Sequence, residues 1–156
     1  MDKRGPIIII EENIDNRRMF GQIFSELPIA NAILYFDTLQ EADEELVSED
    51  ITPFIFFANI LQFEEKNKHQ DIENHILISQ KTDCPCLFFS ILFPNCFIID
   101  TYSVPVKSYF INPYSEEKFK QVLSSIVQFW NTKKDQNQQE IKSEKKNKTY
   151  KSSKPI

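Results

Sequence analysis

Between Thr52 and Leu61 the chain reads Thr-Pro-Phe-Ile-Phe-Phe-Ala-Asn-Ile-Leu, an apolar run interrupted by one polar side chain, Asn59. Successive side chains of a strand point to opposite faces, so a run that is apolar on both needs cover above and below. That environment is the middle of a parallel sheet with helices on each side. In open sheets of this kind ligands and chemistry gather beyond the carboxyl ends of the strands. Asn59 stands at that end of the run and is therefore the first candidate for a functional residue.

Up to residue 130 the chain alternates strand-length apolar runs with segments of helical periodicity, the pattern of a βα series. Strands are expected at 6–11, 32–36, 53–59, 86–91 and 108–111, each short and rich in Ile, Leu or Phe. A helix over 14–26 would carry Met19, Phe20, Ile23, Phe24 and Leu27 on one stripe, with Asp15 and Asn16 as capping candidates. A second, over 38–48, sets Leu39, Ala42, Leu46 and Val47 against a row of acids. The last, over 115–130, opens with Ser115-Glu116-Glu117-Lys118 and continues through Phe119, Val122, Leu123, Ile126, Val127 and Trp130. Gln62 to Glu73 is almost wholly polar, so 63–81 is expected to be a long loop followed by a short helix.

At 156 residues and 41% hydrophobic content the chain has length for one domain with a full core, plus a tail. The net charge of −5 is unevenly spread: residues 1–130 carry −10 and residues 131–156 carry +5. The segment 131–156 has too few apolar residues to offset its ordering entropy, and a disordered lysine-rich tail is expected there. Its charges are dilute, which favours a solvated end over a nucleic-acid or lipid contact. No stretch has the length of a membrane span, and the N-terminus leads into the first strand without a signal-peptide apolar region, so the expected location is cytoplasmic. Cys84, Cys86 and Cys96 are an odd number in neither a CxxC nor a zinc spacing, which fits reduced thiols.

Several enzyme classes find no support. With only Gly5 and Gly21, no glycine-rich phosphate loop is possible, which argues against a nucleotide-binding enzyme. Ser90 lacks a Gly-x-Ser-x-Gly setting, and His69 and His75 lie in a polar segment without a cysteine or acid cluster at ligand spacing, as expected of solvated histidines. Glu11 and Glu12 are neighbours on a strand, so they point to opposite sides and do not form an acid/base dyad by themselves.

Taken in order, Ile7-Ile8-Ile9-Ile10-Glu11-Glu12, the run ending at Asn59, Phe88-Phe89-Ser90 and Tyr109-Phe110-Ile111-Asn112-Pro113 resemble the receiver domain of response regulators in two-component signalling. The intervals support the likeness: 31 residues from Asn59 to Ser90 and 22 from Ser90 to Asn112 are close to those of receivers. The resemblance covers residues 5 to 130. It implies a flavodoxin-like (βα)5 doubly wound parallel sheet of strand order 2-1-3-4-5, with the site beyond strands one and three.

Carried over residue by residue, the resemblance makes Glu11 and Glu12 the acidic pair that would hold Mg²⁺, a weak expectation because each arm is one methylene longer than the usual Asp. Asn59 takes the place of the phosphate-accepting Asp. An amide is a poor nucleophile and adds no negative charge to a metal site, so no cofactor is the leading expectation. Ser90 keeps the family's hydroxyl, Asn112 replaces its lysine, Pro113 keeps the proline that follows, and Tyr109 holds the aromatic switch position. Loss of the Asp together with the Lys leaves the formal charge of the pocket unchanged and avoids both an unpartnered ammonium and three crowded carboxylates.

Ile91 to Pro105 would then supply a fourth helix with a surplus of apolar residues, leaving some of Phe97, Ile99 and Tyr102 outward as a partner face. The expected function is a non-catalytic, receiver-like signalling module (a pseudo-receiver) acting by protein–protein interaction. Its partner would be a signalling protein, a histidine kinase for example, or a second copy. The segment after Trp130 is too short and polar for a DNA-binding output domain. The alternatives are a conventional stand-alone response regulator activated in another way, and a small-ligand-binding or enzymatic flavodoxin-like domain.

Overall fold

The computed structural model describes residues 2–92, 95–102, 107–111 and 114–133, which form six strands and four α-helices in an α/β arrangement. The first strand, β1 (Ile7–Ile10), is four β-branched isoleucines, all buried. Helix α1 (Ile14–Ser25) starts where the Asn13 side chain accepts the backbone N–H of Asn16, two residues before the first of the expected capping candidates, Asp15. Then follow β2 (Ile33–Phe36) and α2 (Leu39–Ser48), the latter capped by Thr38 accepting from the Glu41 N–H. The run that opened the argument is β3 (Ile55–Asn59), buried at every position.

Two 3₁₀ turns, Ile60–Gln62 and Glu65–Asn67, lead into α3 (Lys68–Thr82). This helix has 15 residues, where a long loop and a short helix were expected. Lys, Gln and Glu are good helix formers. Both residues that the helix buries, His75 and Ser79, are polar, so a count of apolar residues underestimates its inner face. It ends at Asp83, whose left-handed backbone (φ 50°) stops the helix.

After β4 (Cys86–Leu92) the structure departs from the expected parallel plan. Where the resemblance placed a fourth helix, residues Asn95–Asp100 form β5, followed by β6 (Lys107–Ile111) and α4 (Glu116–Thr132). The sheet order is β2-β1-β3-β4-β5-β6, with the first four strands parallel and β5 antiparallel to both its neighbours. The reason is local: Phe97, Ile98 and Ile99 are aromatic or β-branched, residue types that pack well on a pleated strand. Cys96 and Ile98 are accordingly buried in the core and Phe97 and Ile99 face the other way, half-buried.

Helices α1 and α4 cover one face of the sheet. Phe20 is the hub there, its ring 5.0 Å from Phe89, 5.5 Å from Phe119 and 6.3 Å from Phe57. Trp130 of α4 is fully buried, and its indole N–H donates to Asp100 at 3.0 Å, which satisfies a polar atom inside the core. Helices α2 and α3 cover β1, β3 and β4 on the opposite face with a smaller core of Ile8, Ile10, Ala42, Leu46, Phe56, Ala58 and Phe88. At the base of the sheet Gly5 has no room for a side chain, since a Cβ would lie 2.1 Å from the Thr52 carbonyl oxygen. All three cysteines are buried, and Cys84 and Cys86 are free thiols. No described helix is long and apolar enough to cross a membrane.

Candidate functional site

The carboxyl ends of β1 and β3 lie side by side, and they bring together the first two residues the sequence singled out. Glu11 is fully buried, and Asn59 Nδ2 donates to its Oε2 at 2.8 Å. Its other oxygen accepts from Asn16 Nδ2 of α1. Asn59 Oδ1 in turn accepts the backbone N–H of Leu61 at 2.8 Å, so the Asn59 amide caps the 3₁₀ turn that follows β3. Around this pair Arg17 Nε donates to the Glu11 carbonyl, and its Nη2 donates to Asp37 at 2.6 Å. The Glu11 carboxylate thus sits among amides and one guanidinium, with each oxygen engaged.

Glu12 does not join it. Its side chain is exposed, and its backbone N–H donates to Gln62 Oε1 at 2.7 Å while Gln62 Nε2 donates to the Asp37 carbonyl at 3.0 Å. Among the described residues no group of three or more Asp, Glu, His or Cys converges as a metal site. In this arrangement both oxygens of the Glu11 carboxylate accept from side-chain amides, of Asn59 and Asn16, and the Glu12 side chain is exposed.

Ser90 is buried on β4, one residue beyond the position that pairs with Asn59. Asn59 lies opposite Phe89, so the alternation of β4 turns Ser90 to the other face, and no hydrogen bond joins it to Glu11 or Asn59. Tyr109 is half-buried on β6 and is separated from Asn59 by β4 and β5, where the expected order would have placed its strand beside β4. Burial and the nearby Asp100 charge raise its phenol pKa. Asn112 and Pro113 lie outside the described residues.

The expected partner face is only partly where the sequence put it. Phe97 and Ile99 share one face of β5, and the Phe97 ring is 6.3 Å from Phe110 of β6, which is 75% exposed. Tyr102 belongs elsewhere: its ring packs edge-on against Trp130 at 5.5 Å and its hydroxyl donates to Asp83 at 2.7 Å. Sequence reasoning passed over Phe110, although the alternation Lys107-Ser108-Tyr109-Phe110-Ile111 sets it opposite the core residue Ile111.

A second feature was invisible in the sequence. A cleft of about 570 Å³ lies between α2 and α3, against the end of β1. His75 lines it, 5% exposed instead of solvated, whereas His69 is exposed and sits 3.3 Å from Glu73. Its ring stands between Phe63 at 4.9 Å and Phe88 at 5.8 Å. Nδ1 is 2.6 Å from the Asp71 carbonyl oxygen, an acceptor, so the neutral ring carries its proton there and leaves Nε2 as an acceptor. Nε2 is buried with no partner among the described residues. Desolvation lowers the His75 pKa below 6.5, outweighing the hydrogen bond to the Asp71 carbonyl and the Asp71 charge.

Comparison with known proteins adds no family to this geometry: no family model, no curated protein and no solved structure gives a match.

Proposed function

We propose that the protein is a non-catalytic, receiver-like signalling module that works through protein–protein contact. The observation that carries this reading is the 2.8 Å hydrogen bond from Asn59 to Glu11. Acyl phosphate formation needs a carboxylate nucleophile and a divalent metal to neutralise the incoming phosphoryl oxygens. At the end of β3 stands an amide instead, and the adjacent carboxylate already has donors on both oxygens. The hydrogen bonds of both side chains are satisfied, which suits a scaffold more than a reaction centre.

Contact through a second copy is the partner reading that the sheet edge supports. Among the described residues β6 is one of the two edge strands, with β2, and a twofold axis at β6 would pair it with its own equivalent and bring two Phe97–Phe110 faces together. The test has two arms. With Mg²⁺ and acetyl phosphate or beryllofluoride, no mass increase and no amide shifts at residues 11, 59 and 90 are expected; a stoichiometric acyl phosphate overturns the non-catalytic reading. In sedimentation equilibrium Phe110→Asp should weaken self-association of the parent chain. A parent that is monomeric at high concentration overturns the second-copy reading.

A further inference from the structure

We infer that the β6 edge takes an extended acidic peptide of a partner protein, bonded to the strand through its main chain and laid in the groove against α4. The inference rests on the reading of the chain as a contact module, and it names a partner that competes with the second copy for the same edge.

Among the described residues β6 pairs only with β5, so the backbone groups on its outer side have no strand partner. Natural edges are often blunted by an outward lysine. The one lysine of β6, Lys107, is turned onto α4 instead, its ammonium 3.5 Å from the centre of the Phe129 ring. Beside the strand runs a groove of about 480 Å³, with Tyr109 and Ile111 on one side and Lys118, Gln121, Val122 and Ser125 of α4 on the other. Residues three and four apart share a helix face, so these four positions form one stripe. Helix α4 begins soon after β6 ends and runs back along it, which sets Lys118 toward the Ile111 end of the groove. An open edge flanked by a helix suits strand addition, in which the main chain bonds to the edge and every second side chain meets the helix.

Charge chooses the occupant. Lys118 is exposed and forms no ion pair among the described residues. No described Asp or Glu lines the groove, and the nearest acids in sequence, Glu116 and Glu117, are not part of its lining. A second copy would bring β6 again, whose one charge is the positive Lys107, and the chain's own segment 131–156, at +5, has the sign of Lys118. Complementarity is met by a segment with apolar side chains two residues apart and, at the same spacing toward Lys118, an Asp or Glu.

The probe is acetyl-Thr-Val-Thr-Val-Thr-Glu-Thr-amide, whose valines and glutamate share one side of a strand, titrated into the full chain by NMR. It should shift the amides of Tyr109, Ile111 and Val122, with saturation in the millimolar range or below. A version with lysine in place of the glutamate should bind about threefold to tenfold more weakly, and Lys118→Glu, at an exposed position, should keep the fold and reverse that preference. Of two N-methylated versions, one blocked on the threonines and one on the residues between them, one should lose binding and the other keep it, because a strand turns only alternate N–H groups to its neighbour. Equal binding of the glutamate and lysine peptides overturns the acidic assignment, and the same result for both N-methylated versions overturns strand addition. Shifts centred on β2, the other edge, or no saturable shift at all, overturn the site. A monomeric parent that binds the peptide removes the second copy and leaves this inference, whereas a parent that self-associates through β6 and ignores the peptide does the reverse.

Discussion

The two faces of the sheet are built differently. Under α1 and α4 the core is a continuous aromatic cluster in which Phe20, Phe57, Phe89, Phe119 and Trp130 interlock, and its buried polar contact from Trp130 to Asp100 is satisfied. Under α2 and α3 the core is smaller, a cleft opens between the helices, and the buried Nε2 of His75 lacks a partner. The contrast is one of degree, because the α1/α4 side also has a cleft, of about 480 Å³ between β6 and α4, and a buried Tyr35 hydroxyl without a partner among the described residues, but its aromatic cluster is the larger core. Close packing resists change, whereas a site that accepts a ligand needs space and groups not already committed.

The largest expected effect lies on the aromatic face under α1 and α4. Phe20→Ala removes the ring that touches Phe57, Phe89 and Phe119, and should cost about 3–5 kcal/mol in urea unfolding. A cost below 1 kcal/mol would mean that this face relaxes as easily as the other, and the contrast would fail.

Next comes the junction at the strand ends. Asn59→Asp replaces an amide donor by a second carboxylate within hydrogen-bond distance of the buried Glu11. Repulsion and the lost donor should cost about 2–4 kcal/mol at neutral pH. One of the two acids then has a raised pKa in the fold, so the unfolded state loses its proton first as pH rises. The deficit against the parent should shrink as pH falls toward about 4. A variant as stable as the parent at pH 7 would show that the amide is not what holds Glu11 in place.

The smallest effect belongs to the open face. Because burial lowers the His75 pKa in the fold below 6.5, the unfolded chain takes up its proton first as pH falls. Stability from this group is present above pH 6.5, declines as pH drops through 6.5 and levels off below the folded value, by about 1.4 kcal/mol per unit of lowering. Urea midpoints at pH 7.5 and 5.5 should differ more for the parent than for His75→Phe. Equal differences would place the imidazole in water and remove the polar half of the contrast.

Much of this was legible in the sequence, and the parts that were not have physical reasons. Strands β1, β2, β3, β4 and β6 and helices α1, α2 and α4 follow from apolar runs and from periodicity, which report burial directly. That Glu11 and Asn59 lie near one another was implied only by the receiver resemblance, and the hydrogen bond between them was not legible in the sequence. Helix α3 was shortened because His75 and Ser79 face inward, and polar residues on a buried face erase the periodic signal. Strand β5 was read as a helix because Cys96-Phe97-Ile98-Ile99 is apolar throughout, and a short apolar run serves either structure until its neighbours are known. Tyr102 seemed surplus on such a helix. In the structure it follows β5 into contact with Trp130 and Asp83.

The inserted antiparallel strand also bears on how the chain reaches its native state. In β4-β5-β6 the pairing begins at Leu92 with Asn95 and spreads outward between segments adjacent in sequence, so little loop entropy is spent before contacts form. The register of Ile10 with Ala58 in the parallel half requires closing a chain that contains β2 and both of its flanking helices. Long closures slow folding and short ones speed it. A wholly parallel sheet would have made every strand wait for a crossover. By turning one strand around, this chain provides a meander that can form early and serve as the edge on which β3, and then β1 and β2, assemble.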